Sequence, residues 1–223
     1  MLVVHHLNHS RSHRILWLLE ELEVPYEIKF YKRDANLRAP KELRDIHPLG
    51  KAPVITDGDV TLAESGAIIQ YIINKYGNGR VNPPKEGELI DLYISHFAEG
   101  SLMPLLVNRF VFSVAPDMAP FYLRPLLRMV LSGLDARLVA GPLKASLKYI
   151  EDELEKSPTG WFAGGSDPTM ADFMMAFSLE RAYERMPDAI GPNTKAWIKR
   201  VQERPAYKRV SACFDGKPPG VKL

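Results

Sequence analysis

Cysteine is almost absent. A single Cys213 in 223 residues excludes an internal disulfide framework and fits a reducing compartment. No apolar run approaches the roughly 18 residues of a membrane-spanning helix, so no membrane span is expected. Charge of one sign is missing too: 29 basic residues face 27 acidic ones, for a net charge of +2, and nothing in that balance calls for nucleic acid. The opening MLVVHHLNHS lacks both the basic flank and the apolar length of a secretory signal. The expected location is therefore cytoplasmic, and Asn8-His9-Ser10 is a chance match to the glycosylation pattern. There is no internal repeat and no low-complexity segment.

The remainder is ordinary soluble-protein composition, 46% hydrophobic and 25% charged, long enough for one large domain or two small ones. Leu2 to Leu7 is a short apolar run that reads as a buried strand. Ser10, Ser12 or both cap a helix whose Ile15, Leu18, Leu19 and Leu22 recur at helical spacing up to Pro25. Tyr26 to Lys32 alternates apolar and charged residues as a second strand, and Pro40 to Ile46 is a short polar helix. Val54-Ile55 and Val60 to Ala63 flank the turn signal Asp57-Gly58, a hairpin. Ile68, Ile69, Ile72 and Ile73 then form an apolar helix face. The order βαβαββα over residues 1–79 gives a small α/β domain.

Asn78 to Gly87, with Gly79, Pro83 and Pro84, reads as a linker. Beyond it strand signals vanish, and residues 88–223 are expected to form an all-helical domain. Leu89 to Phe112 reads as one helix kinked at Pro104, and Leu126 to Lys156 as helical across Gly133, Gly141 and Pro142. Trp161 to Gly165 is a turn, and Thr169 to Asp172 a capping box. Thr194 to Arg204 and Pro205 to Phe214 are the last helices.

The stretch from His47 to Ile68 carries the strongest chemical signal. Pro53 at the first residue of a strand cannot donate to the ladder, and X-Pro is the common place for a cis bond. A cis bond there turns the Ala52 and Val54 backbone groups outward to pair with an extended peptide. Glu64 and Ser65 offer a carboxylate, a hydroxyl and free N–H groups at a helix start, suited to an ammonium and a carboxylate together. Lys51 adds a cation for a second carboxylate. A ligand with two carboxylates, one amine and a peptide backbone fits, and glutathione has all of these. The bland reading of the same residues is a solvated lysine and a helix cap.

The order HPLGKAPV, hairpin, AESGAI resembles the glutathione transferase superfamily, as do LNHSRSHRILWLLEELEVPYE before it and FAGGSDPTMADF after it. The details are most similar to serine-type fungal and bacterial members. The resemblance implies a thioredoxin-like N-terminal domain that binds glutathione and a helical domain that supplies a pocket for hydrophobic electrophiles. It also implies a homodimer pairing N-terminal domain against partner C-terminal domain. In serine-type relatives the catalytic serine lies four residues before an arginine, the spacing of Ser10 and Arg14.

Ser10 stands where the first strand hands over to the first helix. A thiol of pKa about 8.5 needs a fall of about two units, or about 2.7 kcal/mol, to be mostly ionised at neutral pH. A hydrogen bond to a charged group contributes about 1.5–3 kcal/mol and a helix N-terminus about 0.3–1 kcal/mol. One hydroxyl and the dipole are therefore enough, with no general base. Asn8 and Ser12 are secondary candidates for the thiol, Ser12 being read chiefly as a cap. Met103 and Phe110 are candidates for the apolar pocket, with core packing the alternative.

His5, His6, His9 and His13 do not make a convincing metal site, because adjacent strand residues face opposite ways; no metal is expected. Asp172 reads as structural. Two function classes stay open: a transferase conjugating glutathione to small hydrophobic electrophiles, with hydroperoxide reduction as an accessory activity, and a non-catalytic carrier of glutathione or hydrophobic ligands. A cysteine-type thiol transferase is contradicted by the absence of cysteine before Cys213.

Overall fold

The computed structural model describes residues 1–34 and 39–211. Cys213 and the end of the expected last helix lie outside these residues. β1 (Leu2–Leu7), α1 (His13–Glu21), β2 (Tyr26–Tyr31), α2 (Glu42–Ile46), β3 (Val54–Asp57), β4 (Val60–Ala63) and α3 (Ser65–Tyr76) follow in the order read from the sequence. They build a four-stranded mixed sheet in the order β2-β1-β3-β4. β1 runs parallel to β2 and antiparallel to β3, and β3 and β4 form the hairpin. Gly58 takes the left-handed conformation the tight turn demands, at φ 61.

Among the described residues helices alone follow: α4 (Glu88–Phe97), α5 (Met103–Val114), α6 (Arg124–Leu134), α7 (Ala140–Lys156), α8 (Met170–Arg185), α9 (Pro192–Glu203) and α10 (Pro205–Ser211). The two long helical stretches contain π-helical turns, Ala98–Leu102 and Asp135–Val139. Pro104 and Pro142 explain them. A proline ring collides with the carbonyl four residues back, here Gly100 and Leu138, and the wider turn makes room. At Pro104, where a kink was expected, the chain inserts a π-turn, itself a common cause of a kink.

α1 is more deeply buried than its one-sided periodicity implies. Ile15, Leu16, Trp17, Leu18 and Leu19 are all fully buried, because the helix lies between the sheet and the helical half. Trp17 packs on Phe173 and Tyr207, with ring centroids 4.4 and 5.8 Å away. Arg14, 1% exposed, reaches across to the partly exposed Glu99 at 2.6 Å, so a half-buried ion pair joins α1 to the first π-turn.

At α8 the capping box forms as read. Thr169 N–H donates to Asp172 Oδ2 at 3.0 Å, and Trp197 Nε1–H donates to Oδ1 at 2.8 Å. Burial pushes the Asp172 carboxyl up to about 6. Among the described residues no helix is long and apolar enough to cross a membrane.

Candidate functional site

The registers of the sheet bring the three motifs to one edge. Val54 lies opposite His5 on one side and Ala63 on the other. Continued two residues, these registers carry Ala52 alongside Leu7 and toward the corner formed by Glu64 and Ser65. The Ala52–Pro53 bond is cis. Val54 is fully buried within the ladder, whereas Ala52, half-buried ahead of the strand, lines a cleft with Gly50 and Lys51.

At that corner Glu64 is exposed and takes φ 70 and ψ 118. A non-glycine residue in this region is strained, and strain of this kind persists where the surroundings over-determine it. The Glu64 carbonyl starts α3 by accepting from Ile68 N–H at 2.9 Å, while neither end residue caps the helix through its side chain. Ser65 is 6% exposed, and its hydroxyl makes no hydrogen bond among the described residues. A secluded hydroxyl beside unsatisfied helix N–H groups is prepared for an anionic oxygen.

Asp57, at the far end of β3, ties this hairpin to α3. Its Oδ2 accepts from Tyr71 at 2.8 Å, Lys75 at 2.7 Å and Tyr76 at 2.6 Å. Those hydrogen bonds outweigh the effect of burial and hold the carboxyl at about 2.

Ser10 and Ser12 occupy the loop from β1 into α1, and both are buried. Ser12 is the N-cap residue, yet its side chain does not cap the helix. It bridges instead: Ser12 Oγ lies 2.6 Å from Ser10 Oγ and 2.7 Å from His6 Nδ1. The backbone N–H of Ser12 also approaches Ser10 Oγ at 3.4 Å. One polarity leaves the Ser10 proton available. His6 Nδ1–H donates to Ser12, Ser12 O–H donates to Ser10, and Ser10 O–H is then free to donate onward. Such chains strengthen their terminal donor. His13, next to Ser12, is held well below the ordinary imidazole range by burial and by neighbouring His6 and Arg181.

Asn8 is used structurally: its Oδ1 accepts from Arg33 N–H at 2.9 Å. The histidines do not converge on an ion. Among the described residues no three His, Cys, Asp or Glu side chains are grouped to hold a metal.

Two clefts are lined by the chain neighbours of Ser10, which itself lines neither. The residue after it, Arg11, lines a polar cleft of ≈ 590 Å³ with Lys51, Ala52, Leu7, Arg33, Lys41 and Arg44. Five cations face one acid there, Asp34, so the cleft suits an anion. The residue before it, His9, lines a smaller cleft of ≈ 310 Å³ with Met103, Leu106, Val107, Phe110 and Phe177. Met103 and Phe110 therefore come together as wall residues of the cleft that His9 lines, while Lys51 belongs to the other.

Arg11 and Glu99 were not singled out from the sequence, and His6 was weighed there only as a metal ligand. Glu99 pairs with Arg14 and, at 3.4 Å, with Arg11. A partnership across 85 residues leaves no local spacing to read.

Residues 1–74 match the family description "Glutathione S-transferase, N-terminal domain", and residues 127–200 match "Glutathione S-transferase, C-terminal domain". The chain is 37% identical to Glutathione S-transferase 3 of Schizosaccharomyces pombe over 93% of its length and 86% of the relative's. It is 36% identical to Glutathione S-transferase 1 of Saccharomyces cerevisiae over 92% and 91%. A solved glutathione S-transferase from Actinobacillus pleuropneumoniae superposes with a TM-score of 0.74 at 28% identity, covering 97% of this chain and 94% of that one.

Proposed function

The chain belongs to the glutathione S-transferase family, and from that premise we propose that it binds glutathione, ionises its thiol at Ser10 and attacks a hydrophobic electrophile with it. The observation that carries the reading is the Ser10 hydroxyl, hydrogen-bonded to Ser12 and flanked in the chain by Arg11 of a basic cleft and His9 of an apolar one. Glutathione lies along the basic side. Its γ-glutamyl end meets Glu64 and Ser65, its cysteinyl backbone pairs beside cis Pro53, and its glycyl carboxylate faces Lys51. The sequence pointed to Val54 as the backbone partner; because Val54 is registered with His5 of β1 and Ala63 of β4, the proposal takes Ala52 instead.

With the peptide so placed, the cysteinyl sulfur comes to the start of α1. The thiol proton leaves to solvent, and the sulfur accepts from Ser10 O–H and benefits from the helix dipole. Sulfur then bonds to the electrophilic carbon in the apolar cleft while the leaving group departs with the bonding pair. With a hydroperoxide as electrophile, a second glutathione completes the reduction to alcohol, water and glutathione disulfide. A free thiol must stay reduced to serve as nucleophile, so the proposal includes a cytoplasmic setting.

The proposal also includes a homodimer. Leu89, Leu92 and Tyr93 leave an apolar strip on α4, 78, 56 and 48% exposed, a surface that a second copy would cover.

The test is the ultraviolet thiolate signal of bound glutathione against pH, with turnover of a neutral aryl halide alongside. Ser10→Ala should raise the thiol pKa, leave affinity nearly intact and slow turnover about thirtyfold near neutral pH, for a lost bond of about 2 kcal/mol. A protein that binds glutathione but shows neither thiolate nor turnover is the carrier.

A further inference from the structure

The apolar cleft beside His9 is bordered by cations. It shares Leu106, Phe110, Arg181 and Arg185 with an adjoining cleft of ≈ 400 Å³ that adds Arg109. Three guanidiniums thus surround a predominantly apolar hollow. Arg181 pairs with Glu184 at 2.8 Å, and Arg109 lies 4.0 Å from Asp135, the outer limit of an ion pair. Arg185 makes no ion pair among the described residues. Its guanidinium carbon lies over the Phe110 ring, 4.0 Å from the centroid. The Nε of Arg181 is buried without a hydrogen-bond partner.

This is an unusual border for a site that has only to hold a neutral apolar molecule. Stacking on an aromatic ring occupies the face of a guanidinium and leaves its N–H edge free, and that edge matches a carboxylate with two parallel hydrogen bonds. Arg185 thus sits against Phe110 with its donors unspent among the described residues. Leu106 and Phe110 themselves supply apolar wall between this edge and the end of the cleft at His9, next to Ser10.

We propose that the electrophile taken by this site is an amphipathic acid: an apolar body that carries the reacting carbon, with a carboxylate at its far end held by Arg185 and supported by Arg181 and Arg109. The proposal rests on the transferase reading and adds the substrate class to it.

The matched probes are 4-chloro-3-nitrobenzoic acid and its methyl ester, each given to the full-length protein with glutathione. In both, sulfur bonds to the ring carbon bearing chlorine, chloride leaves with the bonding pair, and the thiol proton goes to solvent. Rates with glutathione alone correct for the different reactivity of the two rings. The corrected kcat/KM should favour the acid over the ester, and the preference should shrink as salt is raised. Arg185→Met should lower the acid-to-ester ratio about tenfold, chiefly through KM for the acid, and Arg185→Lys should restore part of it. Should Arg185→Met fail to fold, Arg109→Met tests the same border, with a smaller fall in the ratio expected. Ester turnover without an acid preference, or a ratio unmoved by either methionine variant, would overturn this inference and leave the transferase reading standing. Turnover of neither probe, and of no neutral aryl halide, would overturn both.

Discussion

Replacing Ser12 by alanine separates orientation of the Ser10 hydroxyl from its proposed contact with the sulfur. The lost hydroxyl lies between His6 Nδ1 at 2.7 Å and Ser10 Oγ at 2.6 Å. Ser10 would keep its own proton and a weak approach from the Ser12 backbone at 3.4 Å. Polarisation along a chain strengthens a bond by about 10–30%. For a bond to thiolate of about 2 kcal/mol, its loss is about 0.2–0.6 kcal/mol, or about 0.2–0.4 units in the thiol pKa. Stability should suffer more. Ser12 is 0% exposed, so water cannot replace the hydroxyl for its buried neighbours, and about 1–3 kcal/mol should be lost. Ser10→Ala should show the reverse pattern, with a pKa rise of about 1–2 units and a smaller loss of stability. Thiolate absorbance against pH and denaturant unfolding of both variants measure the two effects. If Ser12→Ala raises the thiol pKa as far as Ser10→Ala, Ser12 rather than Ser10 faces the sulfur.

Ser65→Ala should weaken glutathione binding by about 1–2 kcal/mol through one lost charge-assisted bond, as read by calorimetry; unchanged affinity would remove Ser65 from the contacts. Asp57 is held at about 2 against an ordinary 3.8, so its contribution is present above about pH 4 and lost as pH falls toward 2. Asp57→Asn should flatten that acid limb of the stability curve and loosen the hairpin on α3. Asp172 has the opposite sign: raised from 3.8 to about 6, it keeps its proton in the folded state where the unfolded chain has lost it. Its contribution therefore falls as pH rises from about 4 to about 6, by at most about 3 kcal/mol. Asp172→Asn should remove that slope while lowering stability overall, because the amide nitrogen cannot accept from Thr169 N–H; a slope identical to the unmodified protein's would contradict the assignment. Sedimentation should give a two-chain species at micromolar concentration, and Leu92→Arg should shift it toward the single chain.

Most of the fold was legible because it is specified locally. Period-two and period-3.6 patterns placed β1, α1, β2 and α3, the Asp57-Gly58 turn placed the hairpin, and Thr169 with Asp172 marked the start of α8. The π-turns were not legible, since an apolar helical stripe looks the same whether or not one residue is inserted. Only Pro104 and Pro142, each four residues beyond a strained carbonyl, betray them. At the site, Lys51, Ala52, Pro53, Glu64 and Ser65 stood out because one short stretch carries them all. The bridge from His6 through Ser12 to Ser10 did not, because strand alternation places a histidine on a face without saying what it touches. The same limit hid Glu99, whose pairing with Arg11 and Arg14 arises only when the two halves pack. It also left Met103 and Phe110 ambiguous between core and pocket until the helical half stood against the Ser10 loop.

The central claim is that Ser10 holds the glutathione sulfur at the start of α1. A crystal structure of the protein with glutathione tests it most directly. The sulfur should lie within hydrogen-bonding distance of Ser10 Oγ, with the γ-glutamyl group at Glu64 and Ser65 and the peptide paired to Ala52. Glutathione bound elsewhere, or with its sulfur directed to Asn8 or Ser12 and away from Ser10, would contradict it.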